Sequence, residues 1–84
     1  MKARVQVFLK PGVLDVQGKA VENALHGLGW TGAANVRVGR VITFDLRAET
    51  ETAGRAEVEA MCNRLLANPV IESWQVETTP EGVK

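Results

Sequence analysis

The 84-residue chain is short of most side chains that carry chemistry. It holds one cysteine, Cys62, and one histidine, His26. A lone cysteine excludes an internal disulfide, and one of each type cannot build a cysteine–histidine metal cluster. Aromatics are equally few: two Phe, two Trp and no Tyr. Reading RNA on a sheet surface takes several stacking aromatics in a basic field, and Phe8 alone is too thin for that. Net charge is absent, with ten Lys and Arg against ten Asp and Glu, so nothing draws in nucleic acid or an anionic membrane. No apolar run reaches membrane-span length, and Met1-Lys2-Ala3-Arg4 leads into an alternating pattern rather than a signal-peptide core. A cytoplasmic protein with no nucleic-acid or membrane partner is the expectation. No G-x-x-x-x-G-K-[ST] loop, G-x-S-x-G elbow or paired-carboxylate motif stands out.

What is present is a globular composition on a small scale. Of 38 hydrophobic residues, 22 are Ala or Val. The length allows one domain at most, read here as residues 1–84 with 79–84 a frayed tail. A chain of this size buries only about 60–65% of its unfolded surface. With so many small apolar side chains the core is thin, and burial against other subunits would help. Charge is also unevenly spread. Residues 1–47 hold seven basic and three acidic groups, and residues 48–84 hold three and seven. That asymmetry suits self-association or a polarised docking surface, and equally suits plain solubility.

Residues 3–10 alternate, with Val5, Val7 and Leu9 on one side and Arg4, Gln6, Phe8 and Lys10 on the other, the period of a half-buried strand. Pro11-Gly12 ends it. Asp15 stands where a helix N-cap belongs, and Val16, Ala20, Val21, Ala24, Leu25 and Leu28 recur at helical spacing as a buried stripe. Lys19, Glu22, Asn23 and His26 fall on the opposite, wet side. Gly27 and Gly29 offer left-handed stops. In residues 35–47, Val36, Val38, Ile42, Phe44 and Leu46 share a parity that Arg40 interrupts. A hairpin at Gly39-Arg40 would split this apolar row, so one long strand, bulged or bent at Gly39, is the preferred reading. Such a strand overruns its neighbours and leaves an end free for another chain.

Thr50 or Thr52 can cap a second helix. Its buried stripe is Val58, Met61, Cys62 and Leu65, its surface carries Arg55 and Glu59, and Asn68-Pro69 stops it. A last strand over 70–78 sets Val70, Trp74 and Val76 on one side, with Glu72 interrupting. The order β-α-β-α-β predicts an α+β fold, a small, mainly antiparallel sheet covered on one face by two helices.

Gly27-Leu28-Gly29-Trp30-Thr31-Gly32 matches G-x-G-x-x-G, with Glu49 about 20 residues on, but a dinucleotide site needs a strand before the glycines and a helix after them. Here a helix precedes and a strand follows. Cys62 lies on an apolar helix face and reads as core rather than nucleophile. His26 reads as a surface or interface histidine. Arg37, Arg40 and Arg47 with Lys10 and Lys19 form either an anion-binding patch or a solvated face. Phe8 and Trp30, on exposed faces, are candidate interface anchors. On these residues alone the chain is a non-catalytic module that associates with something.

Three segments go further. Gly12-Val13-Leu14-Asp15-Val16-Gln17-Gly18-Lys19-Ala20-Val21-Glu22-Asn23-Ala24-Leu25-His26-Gly27-Leu28-Gly29, then Val36-Arg37-Val38-Gly39-Arg40, then Met61-Cys62-Asn63-Arg64-Leu65-Leu66-Ala67-Asn68-Pro69-Val70-Ile71-Glu72 together resemble the PurS-type small subunit of phosphoribosylformylglycinamidine synthase (formylglycinamide ribonucleotide amidotransferase). The likeness spans residues 3 to about 78. Val16 departs from it, standing where a proline is expected. Trp74 keeps an aromatic position.

The resemblance implies a place in purine biosynthesis. The full enzyme uses glutamine, ATP and magnesium to convert formylglycinamide ribonucleotide to formylglycinamidine ribonucleotide. A glutaminase subunit releases ammonia and a synthetase subunit activates the amide. The small subunit carries no catalytic residue and binds no cofactor itself; it brings the other two together and forms dimers or tetramers. Within that frame Lys19, Arg37 and Arg40 are expected to make polar contacts to the synthetase, and Phe8 and Trp30 to supply apolar contact area. The rival readings are a small dimeric ligand-binding regulatory module and, more weakly, a free-standing enzyme using Cys62.

Overall fold

A computed structural model describes residues 1–79 as three strands and two helices. The frayed tail expected from residue 79 onward lies, beyond Thr79, outside the described residues. Strand β1, Lys2–Leu9, sits centrally between β2, Arg40–Asp45, and β3, Glu72–Thr79, and pairs antiparallel with both. Val5 lies opposite Ile42 on one side and Val76 on the other, so one face of the sheet gathers Ala3, Val5 and Val7 with Ile42, Phe44, Trp74 and Val76. This is the parity read from the alternation.

Helix α2, Glu51–Met61, is capped by Thr50, whose hydroxyl accepts from the Ala53 N–H at 3.0 Å. It lies along β3 and seals the middle of that face. Val5, Val7, Val58 and Cys62 are fully buried together. Burying a side chain of this size contributes about 1.5–3 kcal/mol, so four of them make a small core. On the surface Arg55 and Glu59 reach across to β3 rather than to each other. Arg55 donates to the Val76 carbonyl at 2.9 Å, and Glu59 accepts from the Trp74 indole N–H at 2.9 Å.

The second helix ends in a wide turn that changes which residues it buries. Cys62–Leu66 is a π turn, closed by the Ala67 N–H to the Cys62 carbonyl at 3.1 Å. Such a turn inserts an extra residue into the helical ladder. The stripe therefore rotates: Leu66 and Ala67 come inward, and Leu65, expected in the core, is 82% exposed.

Helix α1, Val16–Gly27, begins as expected at Asp15, whose Oδ1 accepts from the Gly18 N–H at 2.8 Å. Its orientation is the reverse of the expected one. Val16 is 68% and Leu28 72% exposed, and Ala20, Val21 and Ala24 are exposed with them. Among the described residues no strand or helix packs broadly against α1. Glu22 and His26, expected in water, are instead half-buried against the chain's own residues 33–38. The result is an open molecule of 50 × 32 × 14 Å with a radius of gyration of 16.3 Å, where a compact domain of this length has about 12 Å.

No hairpin forms at Gly39, but the expected long strand that overruns its neighbours is absent too. Residues 36–39 belong to no strand, because Asp15 and Glu22 take the Val38 and Val36 N–H groups. Strand β2 pairs with β1 only over Arg40–Asp45, six residues against eight in β1 and β3. At Gly39, beside the last pair of the β1–β2 ladder, the chain approaches β1 so closely that a Cβ would sit 2.6 Å from the Val7 carbonyl oxygen and against the Phe8 ring. Only glycine fits there.

The wide turn makes a direct prediction. Val58→Ala should cost about 2 kcal/mol in chemical denaturation, as buried apolar truncations do, while Leu65→Ala should stay within about 0.5 kcal/mol of wild type. Equal losses at the two positions would contradict the rotation.

Candidate interaction surface

Three groups of side chains shape the surface. The first is a polar stripe along α1, at positions 15, 18, 22 and 26, one helical face by spacing. Asp15 Oδ2 accepts from the Val38 N–H at 2.7 Å, and Glu22 Oε1 accepts from the Val36 N–H at 3.1 Å. His26 Nε2 lies 2.6 Å from the Ala33 carbonyl oxygen. Between them, Gly18 is buried because the Val36 carbonyl occupies the place of a Cβ. The stripe thus clasps residues 33–38 alongside the helix. These backbone bonds hold the carboxyls of Asp15 and Glu22 below their ordinary values of 3.8 and 4.5, led by the Gly18 N–H for Asp15 and by the Val36 N–H for Glu22.

The second group is an ion pair that joins the outer strands. Arg40 and Glu72, the two charges that interrupt the apolar rows of β2 and β3, meet across the end of β1 with Nη1 2.7 Å from Oε2. Arg40 Nη2 also donates to the Leu66 carbonyl at 2.6 Å, and Glu72 Oε1 accepts from the Asn68 N–H at 2.6 Å. The pairing lowers the Glu72 carboxyl, chiefly through the Arg40 side chain, and raises the Arg40 guanidinium. Each charge is conspicuous in the sequence; that they belong together follows only from the register.

The third group is the exposed apolar surface. Val16, Val21 and Leu28 line the outward side of α1, and Trp30 is 61% exposed just past its end, beside Leu25 and Ala33. Phe8 stands out from the other face of the sheet, exposed as expected. Lys19 is exposed and 3.8 Å from Glu22. Arg37 is exposed but bonded within the chain, its Nη2 within hydrogen-bonding distance of the carbonyls of Leu9, Lys10 and Val13. The five expected contact residues therefore do not form one patch. Phe8, Lys19 and Trp30 face outward, while Arg37 and Arg40 are bonded within the chain.

Chemistry is sparse on this surface. Cys62 is fully buried, and burial, then the nearby Glu59, pushes its thiol up, away from the thiolate a nucleophile needs. Among the described residues no three His, Cys, Asp or Glu side chains gather as metal ligands. Gly27 ends α1, and Gly29, at φ +105°, and Gly32 follow it as its stop.

The family model of PurS, described as phosphoribosylformylglycinamidine (FGAM) synthase, matches residues 2–80. The chain belongs to the PurS family. It is accordingly an accessory subunit of that ATP- and glutamine-dependent ligase of purine biosynthesis. It is 42% identical over 76 residues to the PurS subunit of Synechocystis, covering 90% of this chain and 76% of the relative. PurS of Bacillus subtilis superposes with a TM-score of 0.85 at 37% identity, covering 94% of this chain and 98% of that one. A chain of the PurLQS structure from Thermotoga maritima superposes at 0.83 with 28% identity, covering 90% and 93%. The PurS fold, a three-stranded antiparallel sheet with two helices, is the one expected from the residues.

The lowered carboxyls set the acid response. Glu72, Asp15 and Glu22 each contribute stability that is present above their ordinary values and lost as pH falls through their lower folded values. Thermal denaturation from pH 7 to pH 3 should show a melting temperature that holds until the pH passes below about 4.5 and then drops. Glu72→Gln should flatten that drop. An equally steep fall in the variant would contradict the role given to the ion pair.

Proposed function

We propose that this chain is the non-catalytic subunit that holds the glutaminase and the ATP-dependent synthetase of phosphoribosylformylglycinamidine synthase together and so supports ammonia transfer between them. The observation that carries this reading is the combination of an open shape with an apolar helix face turned outward. A thin core and a large uncovered contact area suit a part whose stability and role are completed by other chains. The PurLQS assembly of Thermotoga maritima, with a chain of the same fold, supports the same partners here.

Ammonia at neutral pH is largely protonated and non-nucleophilic, so its delivery must be short and shielded from bulk water. A subunit that fixes the mutual orientation of two enzymes contributes through positioning. ATP, magnesium and glutamine are handled by the partner subunits, in the cytoplasm. Self-association to a dimer or tetramer is part of the reading. Val16, Val21 and Leu28 are its natural seam, because α2 lies on the β3 side of the sheet and leaves Ile42, Phe44 and Leu46 of a second copy half-buried and available. Phe8, Lys19 and Trp30 serve as direct contacts to the partner enzymes. Arg37 and Arg40 contribute to these contacts through the parts of their side chains that remain exposed.

Reconstitution tests this. With glutaminase and synthetase subunits present, glutamine-dependent turnover should require this chain, while ammonia-dependent turnover of the synthetase should not. Phe8→Ala with Trp30→Ala should lower glutamine-dependent turnover about tenfold or more, given that buried aromatic anchors dominate interfaces. Turnover from glutamine that is indifferent to the chain would refute the scaffold.

A further inference from the structure

Helix α1 and residues 28–38 form one unit, because the Asp15, Glu22 and His26 bonds tie them to each other. That unit joins the sheet through two short connections, the turn at 10–14 and the entry into β2 at Gly39. Two destinations compete for its apolar face: the half-buried β2 side of its own sheet, carrying Ile42, Phe44 and Leu46, or the equivalent surface of a second copy. The first would be reached at high effective concentration and should win unless something opposes it.

Arg37 is placed to oppose it. It belongs to that unit, yet its Nη2 lies 3.3, 3.2 and 3.3 Å from the carbonyl oxygens of Leu9, Lys10 and Val13, the end of β1 and the turn itself. The nitrogen has two hydrogens, shared among three acceptors, so it holds the turn as a cluster. Asp15, 5% exposed, seats the guanidinium from the other side, with Oδ2 3.9 Å from Nε. A guanidinium suits this spot because its rigid planar fork can address several oxygens at once, which a lysine ammonium on a flexible stem does less well.

We propose that Arg37, seated by Asp15, is a positioning residue that locks the β1–α1 turn with α1 pointing outward, and so selects association with a second copy over closure of the helix onto its own sheet. This rests on the self-association reading above.

The test compares wild type, Arg37→Ala and Arg37→Lys by sedimentation equilibrium, by small-angle scattering of the dilute species, and by amide exchange at Val5 and Val7. The expected result is that Arg37→Ala keeps wild-type exchange in β1, associates about tenfold or more weakly, and scatters as a smaller particle, its radius of gyration falling from 16.3 Å toward the roughly 12 Å of a closed domain. Arg37→Lys should fall between. Association as strong as wild type overturns the inference, and so does weakened association at an unchanged radius. Loss of β1 protection in both variants would make Arg37 a residue of general stability and overturn it too. A wild type that stays monomeric at every concentration removes the reading beneath it, which the variants do not decide.

Discussion

One carboxylate holds two separate parts of this chain. Asp15 caps α1 through the Gly18 N–H and at the same time receives the Val38 N–H from a segment more than 20 residues later. A carboxylate so nearly buried must be paired to be tolerated, and here both oxygens are used. Because Asp15 ties the start of α1 to residues 36–38, the polar side of the helix faces its own chain. Its apolar side, with Val16, Val21 and Leu28, is then turned away from that segment and must find its cover on another surface.

Sequence reading reached the strands and the caps because their signals are local. Alternation in residues 3–10 is a period-2 pattern that a sheet buries on one side, and Ala3, Val5 and Val7 are buried. Asp15 and Thr50 cap because their short oxygens reach the N–H groups three residues on. Cys62 is in the core because it shares a helix face with Val58. The side of α1 was misjudged for a different reason. An amphipathic pattern identifies the apolar face without saying which molecule covers it, and the clasping bonds of Glu22 and His26 look in sequence like ordinary solvated polarity. The spacing of Asp15, Gly18, Glu22 and His26, with a glycine inside a helix, was the available signal.

Two further features depended on geometry beyond any single segment. The π turn at Cys62–Leu66 breaks the 3.6-residue count, so Leu65 moved out and Ala67 moved in. Arg40 and Glu72 each interrupted an apolar row, and only the register across β1 pairs them. Of the five expected contact residues, exposure could be read for Phe8, Lys19 and Trp30. Arg37 and Arg40 were visible only as charges, and their internal bonds belong to the tertiary fold. A chain that contributes by holding other proteins in place needs shape more than reactive groups, and here the polar residues are engaged mainly in setting that shape.

The central claim is that the apolar side of α1 is covered by another chain. Amide exchange of residues 16–27 across a dilution series of the wild-type protein measures it most directly. The account predicts that protection of α1 falls as the protein is diluted while β1 amides keep theirs. Protection of α1 that is independent of concentration would contradict it.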